Sequence, residues 1–473
     1  MSKLTLVVVI SVLALILLAA IPSSTDVRLP GLVSDGMVVQ RGTPVRIQGW
    51  AGEGEKVTVR FNKQSASAVT KDGKWSVTFK PMKAGGPFSM TITGKNTIEI
   101  KNVLVGDVWV CSGQSNMEWT LGRLDAAADD VAKSANPNIR LFQTPRVSPE
   151  RAADDVQSAW RTCGPETSAE FSAIGYYFGR ALQRDLNVPI GLIDASWGGT
   201  IIEWWARASY YQASPELKKI IDGRSSGGRV ANGPVQNGRI GGIYNGVIAP
   251  LTWYPIKGVI WYQGESNCRR PDNYAQLLAG LIRNWREDWG LGDFPFLAVQ
   301  IAPFSATEYP ANSWPKVREA QLLTSLNVPK VGLVVTTDVG DENNIHPLNK
   351  APVAERLALA ARAFAYGQKI EYSGPVYKSM KISGNRITLR FSHIGKGLMA
   401  KSGQLKGFQI APEVGRFVSA DAIIKGSTVV VSSASVPQPV AVRYGWAAYP
   451  VVDFWNKDGL PASPFRTNML KWK

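Results

Sequence analysis

Ser115 lies in Gly113-Gln114-Ser115-Asn116-Met117, directly after the apolar run Val108-Trp109-Val110-Cys111. A β-branched and aromatic run ending in small polar residues reads as a buried strand that turns sharply. Glycine two residues before the serine permits that turn and leaves the hydroxyl exposed, where an α/β enzyme holds a nucleophile. Small polar neighbours can aim backbone N–H groups at a developing anion. Read alone, the pentapeptide is equally an ordinary strand-to-helix turn. A serine nucleophile also needs a base near neutral pH, usually imidazole. The chain holds two histidines, His346 and His393. His393 sits in the distal stretch Phe391-Ser392-His393-Ile394, which suits a structural or surface role. His346 follows the apolar run 331–335 and precedes a helical pattern, so its loop can carry it over a sheet edge.

The elements that would bring these residues together are legible as a repeating texture. From about residue 105, short apolar strands alternate with amphipathic helices, the signal of a parallel sheet with crossover helices. One helix carries Phe171, Ile174, Phe178, Ala181 and Leu182 on a single face; others centre on Leu277 to Trp285 and on Val353 to Phe364. Each unusual polar motif follows a strand. Ile190 to Asp194 leads to Ser196-Trp197-Gly198-Gly199-Thr200, and Gly258 to Tyr262 leads to Gln263-Gly264-Glu265-Ser266-Asn267. Val331 to Val335 leads to Asp338, Asp341 and His346. Ligands of open α/β sheets bind beyond the carboxyl ends of the strands, so four such ends at one edge would share a site.

Flanking this core, residues 26–104 alternate in short stretches such as Val45 to Trp50 and Trp75 to Phe79 between Gly- and Pro-rich turns, a sandwich-like pattern. The chain returns to β from 371 to 473. The division is therefore 26–104, 105–370 and 371–473; whether the two β segments form one unit stays open. Residues 1–25 read as a signal peptide: Lys3, an apolar run from Leu4 to Ala20, then Pro22-Ser23-Ser24. An uncleaved N-terminal anchor is the alternative, and either implies export to the periplasm or beyond.

Composition narrows the class. With 473 residues, 45% apolar and 19% charged, the chain is a loop-rich globular protein of two or three domains. Its net charge of +16 is spread out, with no Lys/Arg block of the kind that binds nucleic acid. Cys111, Cys163 and Cys268 allow at most one disulfide, and no Cys/His spacing suggests a metal site. No cofactor is expected. Trp119, Trp197, Trp204 and Trp205 fall in or near the motifs, where some could stack on sugar faces while others serve the core. The Gly-rich stretch from Gly223 to Gly242 carries Arg224, Arg229 and Arg239, which could meet a carboxylate or be merely solvated.

The blocks Gly-Gln-Ser-Asn-Met-Glu, Trp-Gly-Gly-Thr, Trp-Tyr-Gln-Gly-Glu-Ser-Asn and Ile-His-Pro resemble the signatures of the sialate O-acetylesterase family, within the SGNH hydrolases. The similarity extends over nearly the whole chain after residue 25. It implies a flavodoxin-like three-layer α/β/α domain with a parallel sheet, flanked by β segments, removing O-acetyl groups from sugars without metal. By resemblance Ser115 is the nucleophile and His346 the general base. The oxyanion hole would comprise the Ser115 N–H, an N–H of Gly198 or Gly199, and the Gln263 amide; Asn116, Trp197, Glu265 and Asn267 would contact substrate. The chain departs from the superfamily where an aspartate is usual three residues before the histidine: Asn343 stands there. Asp341 is the favoured replacement, with Asp338, Glu265 or a Ser–His dyad as alternatives.

The expected function is an exported serine esterase acting on acetylated carbohydrate, sialosides or plant polysaccharides alike. Alternatives are a non-catalytic sugar-binding protein on the same scaffold, or a secreted lipase or thioesterase.

Overall fold

The computed structural model describes residues 26–225, 238–305 and 307–468. The expected N-terminal targeting segment and Arg229 lie outside them, and no side chain is described for Arg224. At the centre is a seven-stranded sheet: β1 (Thr97–Gly113), β2 (Asn136–Gln143), β3 (Arg161–Cys163), β4 (Ile190–Ser196), β5 (Gly258–Tyr262), β6 (Phe296–Val299) and β7 (Val331–Val334). Their order is β7-β6-β5-β1-β4-β2-β3. All neighbours are parallel except β3, which runs antiparallel to β2, so the sheet is mixed at that edge.

Helices cover both faces because the strand residues alternate. Val108 and Val110 face a core that takes in Leu277, Leu281 and Trp285 of α3 (Tyr274–Trp289) and Val317 of α4 (Ser313–Asn327). Trp109 and Cys111 face a second core, with Ile174 and Phe178 of α2 (Ala173–Leu186) and Leu357 of α5 (Ala351–Phe364). The short α1 (Ser115–Glu118) follows β1. Burying each such apolar side chain stabilises the fold by about 1.5–3 kcal/mol. Local chemistry sets the ends of α2. The Ser172 hydroxyl accepts the Gly175 N–H, and Asn187 stops the helix in the left-handed region at φ 50°.

The boundary expected between residues 104 and 105 falls inside a single strand. The first half of β1 pairs with Gly85–Thr93 and Val38–Gln40; its second half pairs with β4 and β5. Where the strand passes between the two regions, buried Asp107 accepts from Arg41 at 3.0 and 2.8 Å, from Gln40 at 3.0 Å and from Tyr366 at 2.9 Å. The first region is thereby tied to the α/β core through a neutralised buried carboxylate. Among the described residues, the strands from Val376 onward form sheets only with one another. They are held to the core by side chains: Arg466 clasps buried Glu319 of α4 with two 2.7 Å bonds. Cys111, Cys163 and Cys268 are buried free thiols. No helix among the described residues is long and apolar enough to cross a membrane.

Candidate active site

Strand β1 ends at the middle of the sheet, where its neighbours β5 and β4 lie on opposite sides. Gly113 makes the exit from the strand feasible. It sits at φ 135°, and a Cβ there would come within 2.1 Å of the Tyr262 carbonyl oxygen. Alanine is therefore excluded twice, by backbone conformation and by contact. The chain then turns into α1 with Ser115 as its first residue.

His346 arrives from the long loop after β7, and its Nε2 lies 2.8 Å from Ser115 Oγ. Two residues 231 apart in sequence are thus brought within hydrogen-bond distance, the geometry a serine and its base require. The imidazole ring rests 5.0 Å from that of Trp119, tilted by 30°. The Arg123 guanidinium covers Trp119 at 3.8 Å. Burial, reinforced by the cations of Lys350 and Arg123, lowers the His346 pKa from 6.5 to about 4. The ring is therefore neutral at pH 7, and a ring that accepts the Ser115 hydroxyl's hydrogen bond at Nε2 carries its own proton on Nδ1.

The expected acid does not meet the base. Asp341 Oδ1 accepts the N–H groups of Asn343 and Asn344 at 2.8 and 3.0 Å, shaping the turn that carries the histidine. Asn344 Oδ1 in turn accepts the His346 N–H at 2.9 Å. Asp338 is held by Arg356 in a bidentate pair at 2.7 and 2.6 Å. Glu265 accepts from Asn116 at 2.6 Å. Among the described residues no carboxylate bonds the imidazole, and none contributes to its shifted pKa.

The oxyanion donors also differ from expectation. An added Cβ on Gly198 would lie 3.3 Å from Ser115 Cβ, so this turn does reach the nucleophile. Its N–H, however, donates to the Glu118 carboxylate, whose other oxygen pairs with Arg146. Gln263 is fully buried, and its amide N–H groups go to Thr200 O at 3.2 Å and Asn267 Oδ1 at 2.7 Å. It buttresses the β5 loop and offers no donor to substrate. The N–H groups of Ser115 and Gly199 have no acceptor among the described residues.

Of the four expected substrate contacts, three are sequestered. Asn116, Glu265 and Asn267 are each at most 2% exposed. Asn116 spends its amide on Glu265, on the Ile345 carbonyl at 3.0 Å and on Lys350 at 2.5 Å. Asn267 holds the Ile202 N–H at 3.0 Å and Glu203 at 2.9 Å. Their polarity serves the loops, since buried polar groups are stabilised by pairing; Glu265 Oε2 alone of their side-chain atoms is left without a partner among the described residues. Trp197 remains half-buried at the rim, while Trp204 and Trp205 are core residues. Arg239 lies 3.7 Å from exposed Glu150.

Sequence reasoning missed Glu118, Arg146 and Lys350. Glu118 sits three positions after Ser115, which helical spacing places on the same side as the nucleophile. For Lys350 no signal existed, since a lysine before a helix reads as exposed, yet it is 2% exposed.

The chain is similar to known carbohydrate esterases. Residues 105–363 match the family described as carbohydrate esterase, sialic acid-specific acetylesterase. The chain is 29% identical over 526 residues to the sialate O-acetylesterase of Mus musculus, covering 96% of this chain and 97% of that protein. It is 29% identical over 509 residues to that of Homo sapiens, with coverage of 96% and 95%. A carbohydrate acetylesterase from Xanthomonas citri has a solved structure that superposes with a TM-score of 0.87 at 36% identity, covering 94% of this chain and all of that one.

Proposed function

Because this chain belongs to the sialic acid-specific acetylesterase family of carbohydrate esterases, and is thus a carboxylic ester hydrolase, we propose that it deacetylates sugars through a Ser115–His346 acetyl-enzyme mechanism. His346 Nε2 takes the proton of Ser115 Oγ as that oxygen attacks the acetyl carbonyl carbon. The tetrahedral adduct collapses, the bond to the sugar oxygen breaks, and the imidazolium returns its proton to that oxygen. Water then attacks the acetyl-serine while giving its proton to His346; collapse releases acetate and restores the hydroxyl. Backbone N–H groups of Ser115 and Gly199 stabilise the oxyanion, each donor of this kind contributing about 3 kcal/mol. Gly198 joins them once the incoming carbonyl displaces Glu118.

The observation that carries the reading is the 2.8 Å contact between Ser115 Oγ and His346 Nε2 at the centre of the sheet edge. The commitments of Asp341, Asp338 and Glu265 to other partners favour a dyad, in which packing against Trp119 and the Asn344 turn orient the ring. The apolar leader at residues 1–25 supports export. The test is acetate release from an aryl acetate and from acetylated sialosides and plant glycans. Ser115→Ala is expected to abolish turnover while still binding glycan. Unchanged turnover in that variant removes the mechanism, and glycan binding without any acetate release by the native chain makes it a sugar-binding protein.

A further inference from the structure

Asn116 and Ile345 are the immediate neighbours of the nucleophile and the base, one after Ser115 and one before His346. The 3.0 Å bond from Asn116 Nδ2 to the Ile345 carbonyl is therefore a strap between the two catalytic segments. It works in one orientation of the amide only. A flipped amide would present oxygen to the Ile345 carbonyl and to Glu265, and NH2 to whatever faces the other end. That other end meets Lys350, whose Nζ donates to Asn116 Oδ1 at 2.5 Å. In its charged form Lys350 offers only donors, so it holds the oxygen end of the amide, while Glu265 Oε1 accepts at the nitrogen end; together they favour this orientation. All three residues are at most 2% exposed, so no bulk water competes for these bonds.

We infer that Lys350 is a positioning residue for the Ser115–His346 pair, fixing the polarity of Asn116 and thereby the strap that holds nucleophile and base in register. The inference rests on the proposed Ser115–His346 mechanism. Keeping a cation in this interior is costly, as burial pushes Lys350 down to about 7 and is opposed by Glu265. Such a group persists only where it is paired, and here its pairing converges on the catalytic segments. The Lys350 backbone has separate duties. Its N–H donates to Leu348 O at 2.9 Å and its carbonyl accepts from Ala354 at 3.2 Å, so the start of α5 does not depend on the side chain.

The charge has a second consequence. Lys350 and Arg123 both oppose protonation of His346, one from the start of α5 and one from the segment after α1. Lys350 itself faces Glu265 beyond β5 and the Tyr262 ring at 5.8 Å. Removing the ammonium thus raises the His346 pKa. Loosened packing would expose the ring and raise it as well, so the charge is isolated by a variant that keeps the bulk and a donor while losing the cation.

The experiment compares full-length wild type with Lys350→Met, Lys350→Gln and Ser115→Ala, using an aryl acetate from pH 4 to 8. Lys350→Met is expected to lower kcat by about 10²-fold, the scale of a misplaced catalytic pair, with a smaller change in KM. Its acid limb of kcat/KM should move upward. Lys350→Gln keeps a donor for Asn116 without the charge, so it should recover part of kcat while retaining the raised limb. It also decides the question by the limb if Lys350→Met fails to fold. Folded variants with wild-type kcat and an unmoved limb overturn the inference. An active Ser115→Ala, by contrast, removes the mechanism beneath it.

Discussion

Acidification probes the proposed nucleophile–base pair of Ser115 and His346 without altering a residue. His346 must be neutral to take the serine proton, so the acid limb of kcat/KM follows its pKa in the free enzyme. Burial, with Lys350 and Arg123 adding to it, holds that pKa at about 4 instead of 6.5. At pH 5 a base of pKa 4 is about nine-tenths active, whereas an unshifted histidine would leave about 3%. The two outcomes differ by about thirtyfold. The assay is kcat/KM for a small neutral aryl acetate, followed by released acetate because the phenol's absorbance changes with pH. Circular dichroism at each pH separates titration from unfolding. That control matters because a depressed histidine also links folding to pH. The unfolded chain binds its proton near 6.5 and the folded chain near 4, so stability is lost as pH falls between them. A limb at or above 6.5 in folded enzyme would refute the reasoning, and would mean that a carboxylate offsets the cations or that another base operates.

Two further perturbations follow from the same contacts. Glu118→Ala frees the Gly198 N–H and removes a carboxylate from beside the developing oxyanion. Because that charge is partly exposed and already paired with Arg146, the expected rise in kcat/KM is about fivefold, with tighter inhibition by acetate; a fall of tenfold would make Glu118 part of the productive site. Arg318 is fully buried in α4 and donates to Ile301 O at 2.9 Å, Ala447 O at 2.8 Å and Ala448 O at 2.9 Å. Arg318→Met strands those carbonyls and should cost about 3 kcal/mol or more, read as a lower Tm, while an unchanged melt would dismiss this tie between core and C-terminal segment.

The alternation of strand and helix, the ends of strands at Ser115, Gly198 and Gln263, and the amphipathic faces of α2, α3 and α5 were determined locally. Period-2 and period-3.6 patterns and glycine turns act within a few residues, and a sequence carries them openly. The scarcity of histidines singled out His346 for the same reason, since nucleophilic chemistry had few other bases to choose from.

Partnership among buried polar groups was decided only by the tertiary structure. Asn116, Glu265 and Asn267 look like substrate contacts in a motif and Gln263 like an oxyanion donor, but once buried their side chains are bonded to one another and to neighbouring loops. Asp341 looked like the acid and instead caps the turn that brings His346 in, because its nearest unsatisfied N–H groups lie two and three residues away. That one strand, β1, runs through the expected 104/105 boundary and pairs with two sets of neighbours is likewise not written in residue types. Lys350 was the furthest from view. Whether a lysine is solvated or driven inside against Asn116 and Glu265 depends on which chain segments close over it, and that is a property of the folded whole.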